Sequence, residues 1–160
     1  MTESPAPARQ RRHSMKSAAR LYAVQALYQM ELSGQGSDSV RREFLDHRFG
    51  AEVSEGVDMA EGDVDLFTGI LDEAVTWQNR IDQMTDRALV AKWPIARIDP
   101  VLRALFRAAG AEMRDDGTPP RVVIMEYVEV AKAFYPEGRE SRFVNAVLDH
   151  MAREARPEAF

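Results

Sequence analysis

Five cations stand within the first twenty residues: Arg9, Arg11, Arg12, Lys16 and Arg20, against the single acid Glu3. Side chains of this type at this density neutralise phosphates, and each neutralised phosphate releases counterions, so such binding weakens with salt. This segment carries +4, which leaves −9 on the other 140 residues. A basic arm on an acidic body points to a polyanionic partner. A solvated, tag-like tail has the same charge pattern. The cations are also biased by type, with only Lys16, Lys92 and Lys132 as lysines. Arginine's planar fork suits phosphates and stacks on bases, although a GC-rich genome produces the same bias.

Other chemistries lack their residues. Cysteine is absent, so there is no disulfide framework and no thiolate metal site. His13, His47 and His150 are scattered, without the i+3 or i+4 pairing of a metal site. Gly34-Gln35-Gly36 follows a helix pattern, not a strand, and lacks the rest of a dinucleotide fingerprint. No serine has a nucleophile-elbow context. The expectation is a chain that is not an enzyme, with no cofactor and no metal. No segment approaches the roughly 18 apolar residues of a membrane span. The basic N-terminus has no apolar core behind it, so the expected location is cytoplasmic, without membrane contact.

The elements that must position these residues read as helices. Residues 1–14 are rich in Pro, Ala, Arg and Ser without apolar periodicity, and are expected to form a flexible basic arm. From Met15, the spacing of Leu21, Val24, Leu27 or Tyr28, and Leu32 gives an amphipathic helix that Gly34 and Gly36 stop. Val40, Phe44, Leu45 and Phe49 suggest a second. Residues 52–63 read as an acidic loop. Val64, Phe67, Leu71 and Ala74 mark a third helix, with Trp77, Ile81 and Met84 either continuing it or forming a fourth. Ala88–Trp93 reads as a further short turn. Asp99-Pro100 opens the next helix with Asp at the cap and Pro at the first position. Thr118-Pro119-Pro120 opens another in the same way. Ser141 is the expected cap of the last, which carries Val144, Val147, Leu148 and Met151. The fold class is all-α, with six or seven helices packed around a shared core. The helical domain is expected over 15–155, followed by a tail at 156–160.

Three motifs stand out along the chain. They are Arg20-Leu21-Tyr22-Ala23-Val24-Gln25-Ala26-Leu27-Tyr28, the helix from Val122 to Lys132, and Arg142-Phe143-Val144-Asn145-Ala146-Val147-Leu148-Asp149. Together with Leu105-Phe106-Arg107 and Glu112-Met113, they resemble the NusB transcription antitermination family over roughly residues 15–154. The resemblance implies two small packed helical bundles. It implies binding to single-stranded boxA-type RNA of ribosomal RNA operons. The implied protein partners are NusE, a small-subunit ribosomal protein, and the elongating RNA polymerase complex with other Nus factors.

On this resemblance, Arg9, Arg11, Arg12, Lys16 and Arg20 contact RNA phosphates. Arg142 and Phe143 lie on the RNA surface, where an aromatic ring or guanidinium can stack on an unpaired base. Tyr28 matches a position at the protein-partner surface, and its phenol suits an interface. Ala23, Leu27, Val128, Ala131 and Val147 are expected in the core. The chain departs from the family pattern at Ser17, Ala18 and Ala19, which replace cations of some members. It departs again at Leu102, where some members carry an acid facing the partner, and at Met125 and Ala146. Two other readings compete. One is a helical adaptor or homodimer without an RNA role. The other is a NusB-like module of a ribosomal RNA methyltransferase, for which 160 residues leave no room for a methyl-donor domain.

Overall fold

The computed structural model describes residues 7–49, 62–92, 98–114 and 117–160. These residues form seven α-helices and a closing 3₁₀ turn: α1 (Ala8–Ser33), α2 (Ser37–His47), α3 (Val64–Thr76), α4 (Gln78–Lys92), α5 (Pro100–Met113), α6 (Pro120–Phe134), α7 (Arg139–Ala155) and the turn Pro157–Ala159. Helices α1–α3 form one bundle and α4–α7 the other. No described helix is long and apolar enough to cross a membrane.

Helix α5 joins the bundles, packing against α1, α3, α4, α6 and α7. Its composition explains this position. Leu102, Ala104, Leu105, Phe106, Ala108, Ala109, Ala111 and Met113 are all buried, and a helix that is apolar over most of its circumference belongs in a core. The alanines let neighbouring helices approach closely. Gly110 shows how tight this packing is. A Cβ there would lie 2.6 Å from Ile81 Cγ2 and 3.4 Å from Met151 Cε. Ile81 is fully buried and β-branched, so it has little freedom to move. Gly110→Ala should therefore destabilise the protein by about 1–2 kcal/mol, because overpacking outweighs the gain in helix propensity. A urea melt would measure the loss.

The first bundle closes on an aromatic cluster. Tyr22, Phe44, Phe49 and Phe67 stack or meet edge-on, with ring centroids 4.8–6.4 Å apart. Trp77 breaks the chain between α3 and α4, so these are two helices. Arg80 and Arg114 lie over its ring at 5.2 and 4.5 Å.

Several boundaries differ from the expectation. Helix α1 begins at Ala8, about two turns before Met15, because Ala-Arg-Gln-Arg-Arg propagates helix readily without any apolar stripe. Ala88–Lys92 belongs to α4 and is not a separate turn; Trp93 lies outside the described residues, as do residues 1–6 and 50–61. Pro119, not Thr118, is the N-cap of α6. Ser141 does not cap α7. Gly138 takes that position at φ 78°, a conformation suited to glycine, and Ser141 lies inside the helix. The last residues fold back, and the Phe160 ring packs between Arg121 and Arg153, 4.7 and 4.4 Å from its centroid.

Candidate nucleic-acid interface

Arg9, Arg11, Arg12 and Lys16 all lie on the first turns of α1, and all are exposed. Helical spacing sorts them into rows. Arg12, Lys16 and Arg20 form one row at intervals of four. Arg9 precedes His13 and Ser17 in a second, and Arg11 precedes Ser14 and Ala18 in a third. The first turns thus carry cations on several sides, and the same rows continue into the protein.

Arg20 is where the first row enters the protein, which corrects its expected role. It is only 3% exposed. Its Nε donates to Glu112 Oε1 at 2.9 Å and its Nη2 to Glu112 Oε2 at 2.8 Å. Its Nη1 lies 3.6 Å from Glu126 Oε2. The Tyr127 hydroxyl donates to Glu112 Oε1 at 3.0 Å. Burial alone would lower the guanidinium's pKa, but the hydrogen bonds and charge of Glu112 more than offset it, and the net shift is upward. Burial likewise pushes the Tyr127 phenol well above its ordinary value, so it stays a donor. Arg20 is therefore a structural clamp joining α1, α5 and α6, with no face for a phosphate.

At the other end of α6, Gly138 turns the chain into α7. Arg142 on the first turns of α7 is exposed, and Phe143 is half-buried. The Phe143 ring stands edge to face with Phe106 at 6.2 Å, which fixes its plane. Helix α6 packs Glu126 against the start of α1, at His13 and Ser17. The cationic turns and the start of α7 are therefore separated along α6 by on the order of 15 Å, a span that a short single strand covers.

Tyr28, half-buried, lies on the opposite half of α1 from these cations. It lies near Tyr135, which in turn lies near Asp99. The Tyr135 hydroxyl is enclosed, and its pKa is pushed up to about 12, first by burial and then by the Asp99 carboxylate. That hydroxyl sits close to Asp99 without a well-formed hydrogen bond. Asp99 caps α5 by accepting from the Val101 N–H at 2.7 Å. Leu102 is buried in the core, as are Ala23, Leu27, Ala131 and Val147, while Val128 is half-buried.

Glu112, Glu126 and Tyr127 escaped the sequence reading as a unit, as did Arg107. Arg107 holds Asp82 through two 3.0 Å bonds and reaches Glu31 at 3.2 Å, tying α5 to α4 and α1. The available signal was charge embedded in apolar helical runs: Arg20 beside Ala19 and Leu21, Glu112 beside Ala111 and Met113, and Glu126 beside Met125 and Tyr127.

Comparison with known proteins gives a consistent answer. A sequence model described as the NusB family matches residues 17–153. A transcription antitermination protein NusB from Maricaulis maris is 47% identical over 99% of this chain and 96% of its own length. One from Caulobacter vibrioides is 50% identical over 88% of this chain and 94% of its own. Among solved structures, T. maritima NusB superposes with a TM-score of 0.66 at 27% identity, covering 99% of both chains. A chain from a crystal structure of antitermination factors NusB and NusE in complex with dsRNA has the same fold, with a TM-score of 0.66 at 21% identity, covering 86% of this chain and 96% of its own. Sequence and architecture agree over nearly the whole length: the chain belongs to the NusB family.

Proposed function

We propose that the chain is a transcription antitermination factor. It binds single-stranded boxA-type RNA of ribosomal RNA operons together with NusE, and with it joins the elongating RNA polymerase and other Nus factors in the cytoplasm. It acts by holding RNA and protein partners rather than by catalysing a reaction. The observation that carries this reading is the projecting start of α1, with four exposed cations on a chain of this family. Such an extension buries nothing of its own, so its charge is available to phosphates. Arg142 and the fixed Phe143 ring offer a second contact at the start of α7, suited to an unpaired base. Tyr28, on the other half of α1, suits the protein partner. A crystallised complex of NusB, NusE and dsRNA, one chain of which shares this fold, supports RNA and NusE as the partners.

Fluorescence anisotropy tests it. A fluorescein-labelled boxA-type RNA is titrated with the protein, with and without NusE, at two salt concentrations. Sequence-selective binding that NusE strengthens and salt weakens is the expected result. Binding that ignores RNA sequence, or none with NusE present, would leave the helical adaptor as the better reading.

A further inference from the structure

A groove of about 610 Å³ runs between the first half of α1 and the second half of α6. Its walls are largely apolar, with Ala18, Leu21 and Val130 among them. That volume lies within the range of small-ligand sites, on the order of 300–1,000 Å³. Toward the start of α1 lies Glu126, a carboxylate whose residue is only 7% exposed.

Glu126 is poorly satisfied for a buried charge. Arg20 spends its short hydrogen bonds on Glu112 and leaves Glu126 a contact of 3.6 Å. Ser17 Oγ approaches at 3.4 Å and His13 Nδ1 at 3.7 Å. One guanidinium thus faces two buried carboxylates. At the far end of the groove, Gln25 Oε1 is buried with no hydrogen-bond partner among the described residues. The groove therefore offers acceptors inside apolar walls, and buried acceptors call for donors.

The rim has the opposite character. His13 and Arg48 line it, and Arg9 and Arg11 continue two of its rows outward along α1. Glu129, also on the rim, is paired with Lys132 at 3.0 Å. A cationic side chain would be attracted by the floor and repelled by this rim. A nucleotide satisfies both, with a neutral donor edge inside and a phosphate outside. Among the four RNA bases only guanine presents two adjacent N–H donors, at N1 and N2, the arrangement that a carboxylate accepts with both oxygens. We propose that this groove is a base pocket that reads guanine through Glu126. This rests on the RNA-binding reading above and extends it to base choice.

The test uses twelve-nucleotide oligouridines, either all uridine or with one central guanosine, inosine or adenosine, titrated by anisotropy into the full chain with NusE. Inosine keeps N1–H and loses the N2 amino group. The guanosine probe should bind roughly tenfold more tightly than the inosine or adenosine probes, the scale of one bidentate base contact. Glu126→Gln should abolish that preference. Because Glu126 adjoins the Arg20 clamp, a second variant works from the exposed rim: Ser14→Trp should block the groove, removing the guanosine preference while leaving all-uridine binding intact. Equal binding of guanosine and inosine by the wild-type protein would overturn the proposal, as would a preference that survives Ser14→Trp. If Ser14→Trp instead weakens NusE binding alone, the groove belongs to the protein partner. Loss of binding to every probe would overturn the RNA reading itself, a result distinct from binding without guanosine preference.

Discussion

Arg20→Ala is expected to destabilise the protein by about 3–5 kcal/mol, the scale observed when one partner of a buried ion pair is removed. Two carboxylates, Glu112 and Glu126, would remain in the core with their shared cation gone. The Tyr127 hydroxyl could compensate only one oxygen of Glu112. For a chain of this size the melting temperature should fall on the order of 10 °C, measured by circular dichroism. Arg20→Lys should recover only part of the loss, because an ammonium cannot reproduce the two-pronged contact with Glu112. The same variants separate a structural role from a phosphate-binding one. If Arg20 is a clamp, the fraction of Arg20→Ala protein that stays folded keeps the wild-type salt dependence of RNA binding, because no phosphate contact has been lost. Wild-type stability in Arg20→Ala, combined with a weaker salt dependence, would return Arg20 to the RNA contacts.

Arg20 also shows where the sequence was legible and where it was not. The apolar spacing of Val24, Leu27, Val144, Val147 and Leu148 identified core faces, because burial imposes a period that composition cannot hide. The Asp99-Pro100 start was equally plain, since cap chemistry is local. The early start of α1 was not. Residues 8–14 form helix through propensity, with no buried face to impose a pattern. The site was harder still. Arg9, Arg11, Arg12, Lys16 and Arg20 look alike in a charge count, but the last is enclosed by α5 and α6 and the others are not. What separates them is Glu112 and Glu126, 92 and 106 positions away, and only tertiary packing brings these together. Phe143 is intermediate in the same sense. Its helical position predicted an apolar contact, and its contact with Phe106 provides one, but its half-exposed ring was not decided by spacing alone.

Replacing Arg9, Arg11 and Arg12 together with glutamine is expected to weaken RNA binding about 100-fold near 0.1 M salt. The figure follows from counterion release. Each lost phosphate contact on a single strand lowers the slope of log K against log salt by about 0.7, so three contacts remove about 2. Extrapolated to 1 M salt, variant and wild type should converge, because the term that distinguishes them vanishes there. Stability should barely change. All three side chains are exposed, and glutamine supports a helix nearly as well as arginine. The preference for guanosine over inosine should also survive, because it belongs to the groove floor rather than to the projecting turns. A uniform loss across RNA sequences with a shallower salt slope would mark these residues as phosphate contacts. An unchanged slope would mean that the RNA path avoids the start of α1, leaving Arg142 and the α7 surface to carry the electrostatic attraction.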